Sequence, residues 1–266
     1  MTDTISLAEL LIVAASECWR GNGEILATGI GPLPRIGASL AKLTHTPELM
    51  MTDGEAYLVE EPVPLGGRPA GEGPMRSGWM TYGRVFELLW SGRRHAMLGP
   101  TQIDRYGQTN LSALGPYEKP KVQMLGVRGL PGNSVSHANS FFFPSHDKRA
   151  FVAGEVDMVC SAGFNPAKWP GGKLPKRLPD LRYVLTDLCV MDFKGPDHGL
   201  RVVSLHPGVT FEQVQEATGF PLARADKLAT TPLPTDEQLA VIRKVDPKNI
   251  RALQLKGNPP AVRAAA

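Results

Sequence analysis

The sequence predicts an α/β fold built on a mostly parallel sheet with helices. Within residues 6–52, a helix, a strand, a glycine-rich turn, a second helix and a second strand follow one another. This alternation is typical of parallel-sheet proteins, because each strand needs a crossover connection to reach its neighbour. The chain has 266 residues, of which 42% are hydrophobic, and this is enough to form a sizeable core.

The first helix has the clearest start signal in the sequence. Ser6-Leu-Ala-Glu9 is a capping box, in which the two side chains satisfy backbone amides at a new helix end. One face of this helix is expected in the core, because apolar residues recur at three- and four-residue steps: Leu7, Leu10, Leu11, Ala14 and Cys18.

A short apolar strand over residues 24–28 leads into the turn Gly29-Ile-Gly-Pro-Leu-Pro34. Proline stands where the third glycine of a dinucleotide-binding turn would be, so we expect no dinucleotide there. The glycines would let backbone amides approach a ligand oxygen, as an oxyanion hole requires. A plain tight turn into a helix explains the pattern equally well. The candidates for substrate or oxyanion binding in this turn are Gly29, Ile30 and Gly31.

A second helix with Ile36, Leu40 and Leu43 on one face precedes a strand over residues 49–52. The strand ends in Thr52-Asp-Gly-Glu55, at the sheet edge where open α/β folds place ligands. A carboxylate there could act as a nucleophile or a general base, although an Asp-Gly turn with solvated acids is at least as common. The candidates here are Asp53 for catalysis, with Thr52 and Gly54 lining the pocket.

The rest of the chain has weaker local signals. The turn-rich residues 62–74 are expected to form a surface excursion, and the apolar stripe of a helix over 81–90 is expected to face a core. Capping boxes predict two more helices, and four apolar stretches predict strands over 95–98, 150–160, 182–193 and 200–205. We expect a single domain over residues 1–256 and a flexible tail over 257–266.

Composition excludes several function classes. Lysine and arginine number 29 against 26 aspartates and glutamates, which gives a nucleic-acid partner or a membrane surface little electrostatic support. The longest apolar run near the start, residues 10–15, is too short to cross a bilayer. Three scattered cysteines form neither a disulfide framework nor a metal motif, so a cytoplasmic location is expected.

The histidines and the basic clusters give little further indication of a functional site. His137 and His146 have no metal-ligand spacing, His206 is expected to bond to the backbone in a turn, and no metal site is expected. Arg93-Arg94 and residues 173–177 could meet the phosphates of a nucleotide-bearing thiol cofactor, although short basic runs are more often solvated.

Taken in order, four segments resemble the β-type half of the class I coenzyme A transferase superfamily. They are the 29–34 turn, Gln102-Ile-Asp-Arg-Tyr-Gly-Gln-Thr-Asn110, Val184-Leu-Thr-Asp-Leu188 and His206-Pro-Gly-Val-Thr210. The resemblance implies an open α/β sandwich that pairs with an α-type subunit, in an α2β2 heterotetramer, with the active site between the two halves. It also implies a coenzyme A thioester as substrate, with no further cofactor.

One departure from this pattern bears on the reaction. Transferases of the family carry Ser-Glu-Asn-Gly after the second strand, and its glutamate takes the acyl group. Here Asp53, one methylene shorter, stands at that position, with Gly54 after it. The context of residues 17–45 is similar to a branch of the family that opens a carbocyclic ring of a coenzyme A thioester by hydrolysis in late steroid degradation. With this reaction, the base is expected on the α-type partner. We hypothesise that Asp53 polarises water or orients the substrate and that Gly31 donates an amide to an oxyanion.

Two alternatives stay open from the sequence. The chain could be the β subunit of a true acyl-coenzyme A transferase, with Asp53 or Glu55 as the covalent residue. It could also be a non-catalytic subunit that stabilises its partner, although polar residues at the strand ends, such as Gln102 and Asp104, weigh modestly against this.

Overall fold

The computed structural model describes residues 4–54, 56–67, 73 and 75–263. Within these residues the chain forms two compact units, of which unit 1 contains residues 4–98 and 232–263 and unit 2 contains residues 99–231. The α/β class is confirmed by the order of the helices and strands. The single domain expected over residues 1–256 stays a prediction.

The helices are α1 Leu7–Glu17, α2 Pro32–Leu43, α3 Tyr82–Trp90, α4 Leu130–Ser134, α5 Phe211–Glu216 and α6 Asp236–Val245. The strands are β1 Leu26–Gly29, β2 Met51–Thr52, β3 Tyr57–Val59, β4 Arg76–Trp79, β5 Arg94–Leu98, β6 Gln102–Ile103, β7 Thr109–Asn110, β8 Ala113–Leu114, β9 Val122–Gln123, β10 Ala138–Phe143, β11 Asp180–Thr186, β12 Cys189–Asp192, β13 Arg201–Leu205 and β14 Ala223–Thr230.

Parallel pairing in unit 1 brings three strand ends to one edge. β1 pairs with β5 in parallel, with Leu26 opposite Arg94, and Leu26 also forms a parallel bridge with Met50 just before β2. The carboxyl ends of these segments lead into the 29–34 turn and into Asp53 and Gly54, so the two candidate segments of the sequence meet at one edge.

Helices α1 and α2 of unit 1 pack closely against each other. A Cβ added at Gly37 would lie only 2.8 Å from Cβ of Ala15, so glycine is needed at this crossing. The capping box predicted at Ser6 and Glu9 is present. Trp19, just after α1, is fully buried and donates from Nε1 to the carbonyl oxygen of His95, 3.2 Å away.

The C-terminal segment of the chain returns to the start of α1. Leu7 N donates to Pro259 O at 2.7 Å, and Ala261 N donates to Ile5 O at 2.8 Å. Residues 259–261 of the predicted flexible tail are therefore hydrogen bonded to unit 1. The last three residues of that predicted tail lie outside the described part of the chain.

Unit 2 contains a sheet in the order β10, β11, β12, β13, β14. β10 and β11 are parallel, as are β13 and β14, whereas β12 runs antiparallel to both of its neighbours. β13 confirms the strand predicted over 200–205. The single strand predicted over 182–193 is wrong, since β11 and β12 form a hairpin there, in which Thr186 Oγ1 accepts from the amides of Leu188 and Cys189.

The strand predicted over residues 150–160 is also wrong. This segment has one isolated bridge, between Phe151 and Ile103, and no named strand. Gly154 adopts φ +86°, which an extended strand cannot accommodate. The segment forms an irregular loop, and its apolar residues Phe151 and Val156 are buried.

The helix predicted over 81–90 is confirmed as α3, but the prediction that its apolar stripe faces a core is wrong. None of its residues is buried, and Tyr82 and Trp90 are 82% and 75% exposed. The aromatic rings contact one another along the helix instead, edge to face for Tyr82 and Phe86, with centroids 5.1 Å apart, and tilted for Phe86 and Trp90, with centroids 5.8 Å apart. Among the described residues, no helix is long and apolar enough to cross a membrane.

Candidate active site

A cavity of about 400 Å³ lies at the edge of unit 1 where the parallel strands end. It is lined by Arg35 from the first turn of α2, by Asp53 after β2, and by residues 63–67. Asp53 is the residue predicted for catalysis, and it is 7% exposed. The structure therefore places this carboxylate in the wall of a cavity beside a guanidinium.

Gly29 is required by the packing of the strand against the helix. A Cβ added at this position would overlap the backbone of Pro34 and the amide nitrogen of Arg35. Gly31 is the N-cap of α2 and adopts φ 103°, a conformation that favours glycine. Both glycines thus have structural reasons to be present, in addition to the oxyanion role predicted for Gly31.

The backbone amides of this turn are only partly available to a ligand. The amide of Ile30 donates to Met97 O at 2.8 Å, so Ile30 cannot offer it to an oxyanion. Pro32 and Pro34 have no amide hydrogen. Among the described residues, the amides of Gly31 and Leu33 are the ones in this turn without a protein acceptor, and the oxyanion role of Gly31 stays a prediction.

Asp53 organises the turn between β2 and β3. Its Oδ1 accepts from Ala56 N at 3.0 Å and from Tyr57 N at 3.2 Å, while its own amide donates to Tyr57 O at 3.0 Å. This is the Asp-Gly turn that the sequence pattern left open as an alternative. The carboxylate thus has a clear structural role, and its catalytic role stays a prediction.

The neighbours of Asp53 complete the turn. Thr52 Oγ1 accepts from Gly54 N at 3.2 Å, and Gly54 adopts φ +88°. A Cβ added at Gly54 would lie 3.3 Å from Nη1 of Arg35, so the glycine leaves room for the guanidinium. Glu55, the other carboxylate considered for covalent chemistry, lies outside the described residues.

The sequence did not point to Arg35 or to the wall formed by residues 63–67. Pro62 and Val63 are buried, so the start of the predicted surface excursion is part of the fold, whereas residues 68–72 and 74 lie outside the described part. Leu65 N donates to Val245 O at 2.8 Å, and Lys248 Nζ donates to Gly66 O at 2.5 Å. The apolar Val63 between two prolines was the available signal of burial.

Several known proteins share the sequence pattern and the fold of this chain. The chain is 44% identical over 251 residues to the cholesterol ring-cleaving hydrolase IpdB subunit of Mycobacterium tuberculosis, covering 94% of this chain and 98% of the relative. It is 31% identical to the B-type subunit of the 3-oxoadipate CoA-transferase of Pseudomonas knackmussii, covering 93% of this chain and 95% of that relative. The crystal structure of Rhodococcus jostii RHA1 IpdAB matches with a TM-score of 0.85 at 40% identity, covering 94% and 98% of the two chains.

The chain belongs to the β-type subunits of the class I coenzyme A transferase superfamily. No family model matches it. Within the superfamily, the glutaconate coenzyme A-transferase from Acidaminococcus fermentans also shares the fold, with a TM-score of 0.74 at 25% identity over 91% of this chain and 95% of that one. A variant of the decarboxylase AibA/AibB matches at 0.77 and 25% identity, over 94% and 99% of the two chains. Since one fold carries different reactions, the fold alone does not identify the reaction.

The motifs that carry the superfamily resemblance in unit 2 serve as scaffold. Gln102 Oε1 accepts from Asn110 Nδ2 at 2.8 Å, and Asn110 Oδ1 accepts from the amides of Ser112 and Ala113. Asp104 Oδ1 accepts from two amides, and burial raises the pKa of this carboxyl to about 6. These side chains close turns, so they identify the fold without identifying the reaction.

Buried histidines of unit 2 are structural as well. His206 Nε2 lies 2.8 Å from Thr186 O and Nδ1 lies 2.9 Å from Thr231 Oγ1, which confirms the expectation that its ring bonds to the backbone. His146 stacks on Phe151 with ring centroids 3.7 Å apart, and burial lowers its pKa to about 3. A neutral, packed imidazole is suited to a core.

The basic clusters divide into two kinds. Arg93 pairs with Glu24 at 3.3 Å, and Arg94 is half-buried, with Nε donating to Thr28 Oγ1 at 3.0 Å. Burial lowers the pKa of Arg94 to about 10. In unit 2, the basic residues of the 173–177 stretch are exposed. Contact of either cluster with coenzyme A phosphates stays a prediction.

Proposed function

We propose that this chain is the β subunit of a hetero-oligomeric hydrolase that opens a carbocyclic ring of a coenzyme A thioester in steroid degradation. The observation that carries the proposal is its 44% identity, over 94% of the chain, to subunits named cholesterol ring-cleaving hydrolase. The cavity beside Asp53, at the edge where α/β folds bind ligands, supports a site on this subunit.

The proposed reaction has simple requirements. Water adds to a ring carbonyl, the neighbouring carbon–carbon bond breaks, the carbonyl carbon leaves as a carboxylate, and the other carbon takes up a proton. A general base and donors for the oxyanion are needed, and a covalent acyl-enzyme is not. Asp53, whose Oδ1 is held by two backbone amides, is better placed to orient substrate or water than to form an acyl anhydride.

The partner in this proposal is an α-type subunit, in an α2β2 assembly. The structures named IpdAB and AibA/AibB, which share this fold, have two kinds of subunit. The exposed Tyr82 and Trp90 of α3, with the half-buried Phe86 between them, form an aromatic face of unit 1 that supports such a contact. Coenzyme A enters as part of the substrate, and the proposal needs no further cofactor.

A cytoplasmic location is also part of the proposal. The three cysteines, Cys18, Cys160 and Cys189, are free and buried thiols, which suits a reducing compartment.

An isotope experiment tests the reaction. The chain is co-purified with its A-type subunit and incubated with a ring-bearing coenzyme A thioester in ¹⁸O water. We expect a product heavier by one labelled water, with the label in a new carboxylate, measured by mass spectrometry. The complex is also treated with hydroxylamine in the presence of acyl thioester, and no loss of activity is expected.

Two results would contradict the proposal. Exchange of coenzyme A onto an acceptor carboxylate without ¹⁸O uptake, with hydroxylamine inactivation, would establish a transferase. This alternative is worth testing because of the 31% identity to a 3-oxoadipate CoA-transferase subunit. Full ring opening by the A-type subunit alone would establish a non-catalytic role for this chain.

A further inference from the structure

Arg35 places a guanidinium in the cavity wall next to the predicted catalytic carboxylate. The residue lies in the first turn of α2, and both Arg35 and Asp53 line the same cavity of about 400 Å³. The guanidinium lies against Gly54, where an added Cβ would be 3.3 Å from Nη1. The backbone of Arg35 is held in the helix, because Arg35 N donates to Gly31 O at 3.0 Å.

The side chain of Arg35 has no structural role that accounts for its charge. Among the described residues, no group forms an ion pair or a hydrogen bond with the guanidinium. Other arginines of unit 1 are paired, such as Arg251 with Glu9 and Asp246, and Arg93 with Glu24. A half-buried, permanently charged group with five donors and no protein acceptor is suited to binding an anion.

The cavity around Arg35 is preformed. Its far wall, residues 63–67, is tied to the C-terminal part of unit 1 through Leu65 N to Val245 O and Lys248 Nζ to Gly66 O. Asp53 is fixed by the amides of Ala56 and Tyr57. A ligand oxygen that enters therefore meets groups already in place, which lowers the cost of binding.

The charges of the cavity favour one class of anion. The 3′-phosphate and the diphosphate of coenzyme A each carry about two negative charges, and either would meet a single guanidinium with the carboxylate of Asp53 close by. A carboxylate carries one charge and matches the fork of donors on a guanidinium. The one cation lining the described part of this cavity is therefore matched to a carboxylate.

We propose that Arg35 binds a carboxylate on the acyl part of the coenzyme A thioester. This inference rests on the proposed function, in which hydrolytic ring opening creates such a carboxylate beside Asp53. Arg35 would position the acyl group for reaction. It would also stabilise the negative charge that develops on the carboxylate oxygen as the ring opens. The proposal thus makes Arg35 the residue that selects an acyl group with a carboxylate, which ring opening supplies in the product.

Binding measurements test this without relying on turnover. The complex with the A-type subunit is titrated with glutaryl-, adipoyl- and pimeloyl-coenzyme A, and with the uncharged acyl thioesters of the same chain lengths. We expect the wild type to prefer at least one carboxylate-bearing thioester by about 10- to 100-fold, which is typical of a charge-assisted contact. Arg35→Gln should abolish this preference and Arg35→Lys should keep part of it.

The controls separate Arg35 from other charges and from folding. Arg93→Gln removes an arginine of unit 1 that pairs with Glu24, and should leave the preference unchanged. Free coenzyme A should bind wild type and Arg35→Gln equally. Thermal unfolding of Arg35→Gln and Arg35→Lys should match wild type, because the guanidinium holds no described part of the fold.

The proposal is overturned if no carboxylate preference exists in the wild type, if Arg35→Gln retains it, or if Arg35→Gln weakens free coenzyme A as much as the acidic thioesters. Failure of the proposed function gives a different result. In that case the isotope experiment shows no ring opening, while the preference for acidic acyl groups and its loss in Arg35→Gln still appear.

Discussion

Asp53 contributes to a turn and, in the proposed function, to the reaction, and two substitutions separate these contributions. Asparagine keeps the Oδ1 that accepts from Ala56 N and Tyr57 N, whereas alanine removes it. Asp53→Asn should therefore unfold at the wild-type temperature but lose about 100-fold or more in ring-opening rate. Asp53→Ala should lose rate and also about 1 to 3 kcal/mol of stability, since buried amides lose their acceptor.

Unfolding curves and kcat of the purified complex measure both effects. If Asp53→Asn has the wild-type kcat and Asp53→Ala has reduced stability, Asp53 stabilises the turn and has no catalytic role. The fold assignment would stand in that case.

Gly29 is expected to tolerate no side chain. In Gly29→Ala the added Cβ would overlap backbone atoms of Pro34 and Arg35, which cannot rotate away. We expect a loss of about 3 kcal/mol or more in the free energy of unfolding by urea. Gly132→Ala is the matched control, because a Cβ there meets nothing within 4 Å, and should change stability by less than about 1 kcal/mol. Equal stability of the two variants would contradict the packing argument.

Asp104 should give unit 2 a measurable dependence on pH. Burial raises the pKa of its carboxyl to about 6 in the folded chain, above the value of about 4 in an unfolded chain. The protonated form is therefore favoured in the folded state. The stability that this carboxyl contributes to the fold is fully present below about pH 4 and is lost as the pH rises through about 6. Asp104→Asn keeps an acceptor for Tyr106 N and Gln108 N but cannot titrate.

Between pH 4 and pH 7, the wild type should therefore lose about 1 to 3 kcal/mol of stability relative to Asp104→Asn. Urea unfolding at a series of pH values measures the difference. Parallel pH profiles for the two proteins would contradict a raised pKa at this carboxyl.

The sequence identified some of these side chains and missed others for a physical reason. Asp53 and Gly29 were found because strand ends and glycine turns are local patterns. Arg35 looked like any surface arginine, since its place in a cavity depends on residues 63–67 and on Val245, far along the chain. A local sequence pattern can predict a turn. The residues that surround the turn depend on contacts between segments far apart in the sequence, which a local pattern does not contain.

Helix α3 is the element whose surroundings differ most from expectation. Its apolar spacing predicted the helix, but the same spacing cannot tell a core from a partner surface. We expect the α-type subunit to cover it, so Trp90→Ser should weaken assembly by about 30-fold or more, as for a buried aromatic anchor. Leu253→Ser, which removes another exposed apolar side chain of unit 1, is the control.

Sedimentation of the two variants mixed with the A-type subunit measures the dissociation constant. Assembly of Trp90→Ser at wild-type affinity would show that α3 lies outside the subunit contact.

Elements with their own start and stop signals were predictable. α1, α5 and α6 begin at capping boxes, which are complete within four residues. β10 escaped prediction because all of its residues are buried, so no alternation marks it. Strand β14 is mostly exposed and has no apolar alternation, and its pairing with β13 makes it a strand.

Unit 1 is closed by residues from both ends of the chain. Arg251 is buried and pairs with Glu9 and with Asp246, each at 3.1 Å. Arg251→Ala should cost about 3 to 5 kcal/mol, because two carboxylates would be left buried without a cation. Arg20→Ala, which breaks an exposed pair with Glu17, should cost about 1 kcal/mol or less.

Chemical unfolding of both variants gives these values. A loss in Arg251→Ala as small as in Arg20→Ala would mean that the buried cluster contributes little. The whole-chain arrangement could not be read from the sequence, since 242 positions separate Glu9 from Arg251.

The aromatic face of α3 also has a consequence for the cell. A chain made in excess of its partner would display Tyr82 and Trp90 to water, and apolar patches of this kind promote self-association. Synthesis of the two polypeptides in equal amounts would then protect this subunit from self-association, because the partner would cover the aromatic face. Overproduced alone, it should sediment as aggregates, and supplying the partner in the same cell should return it to the supernatant.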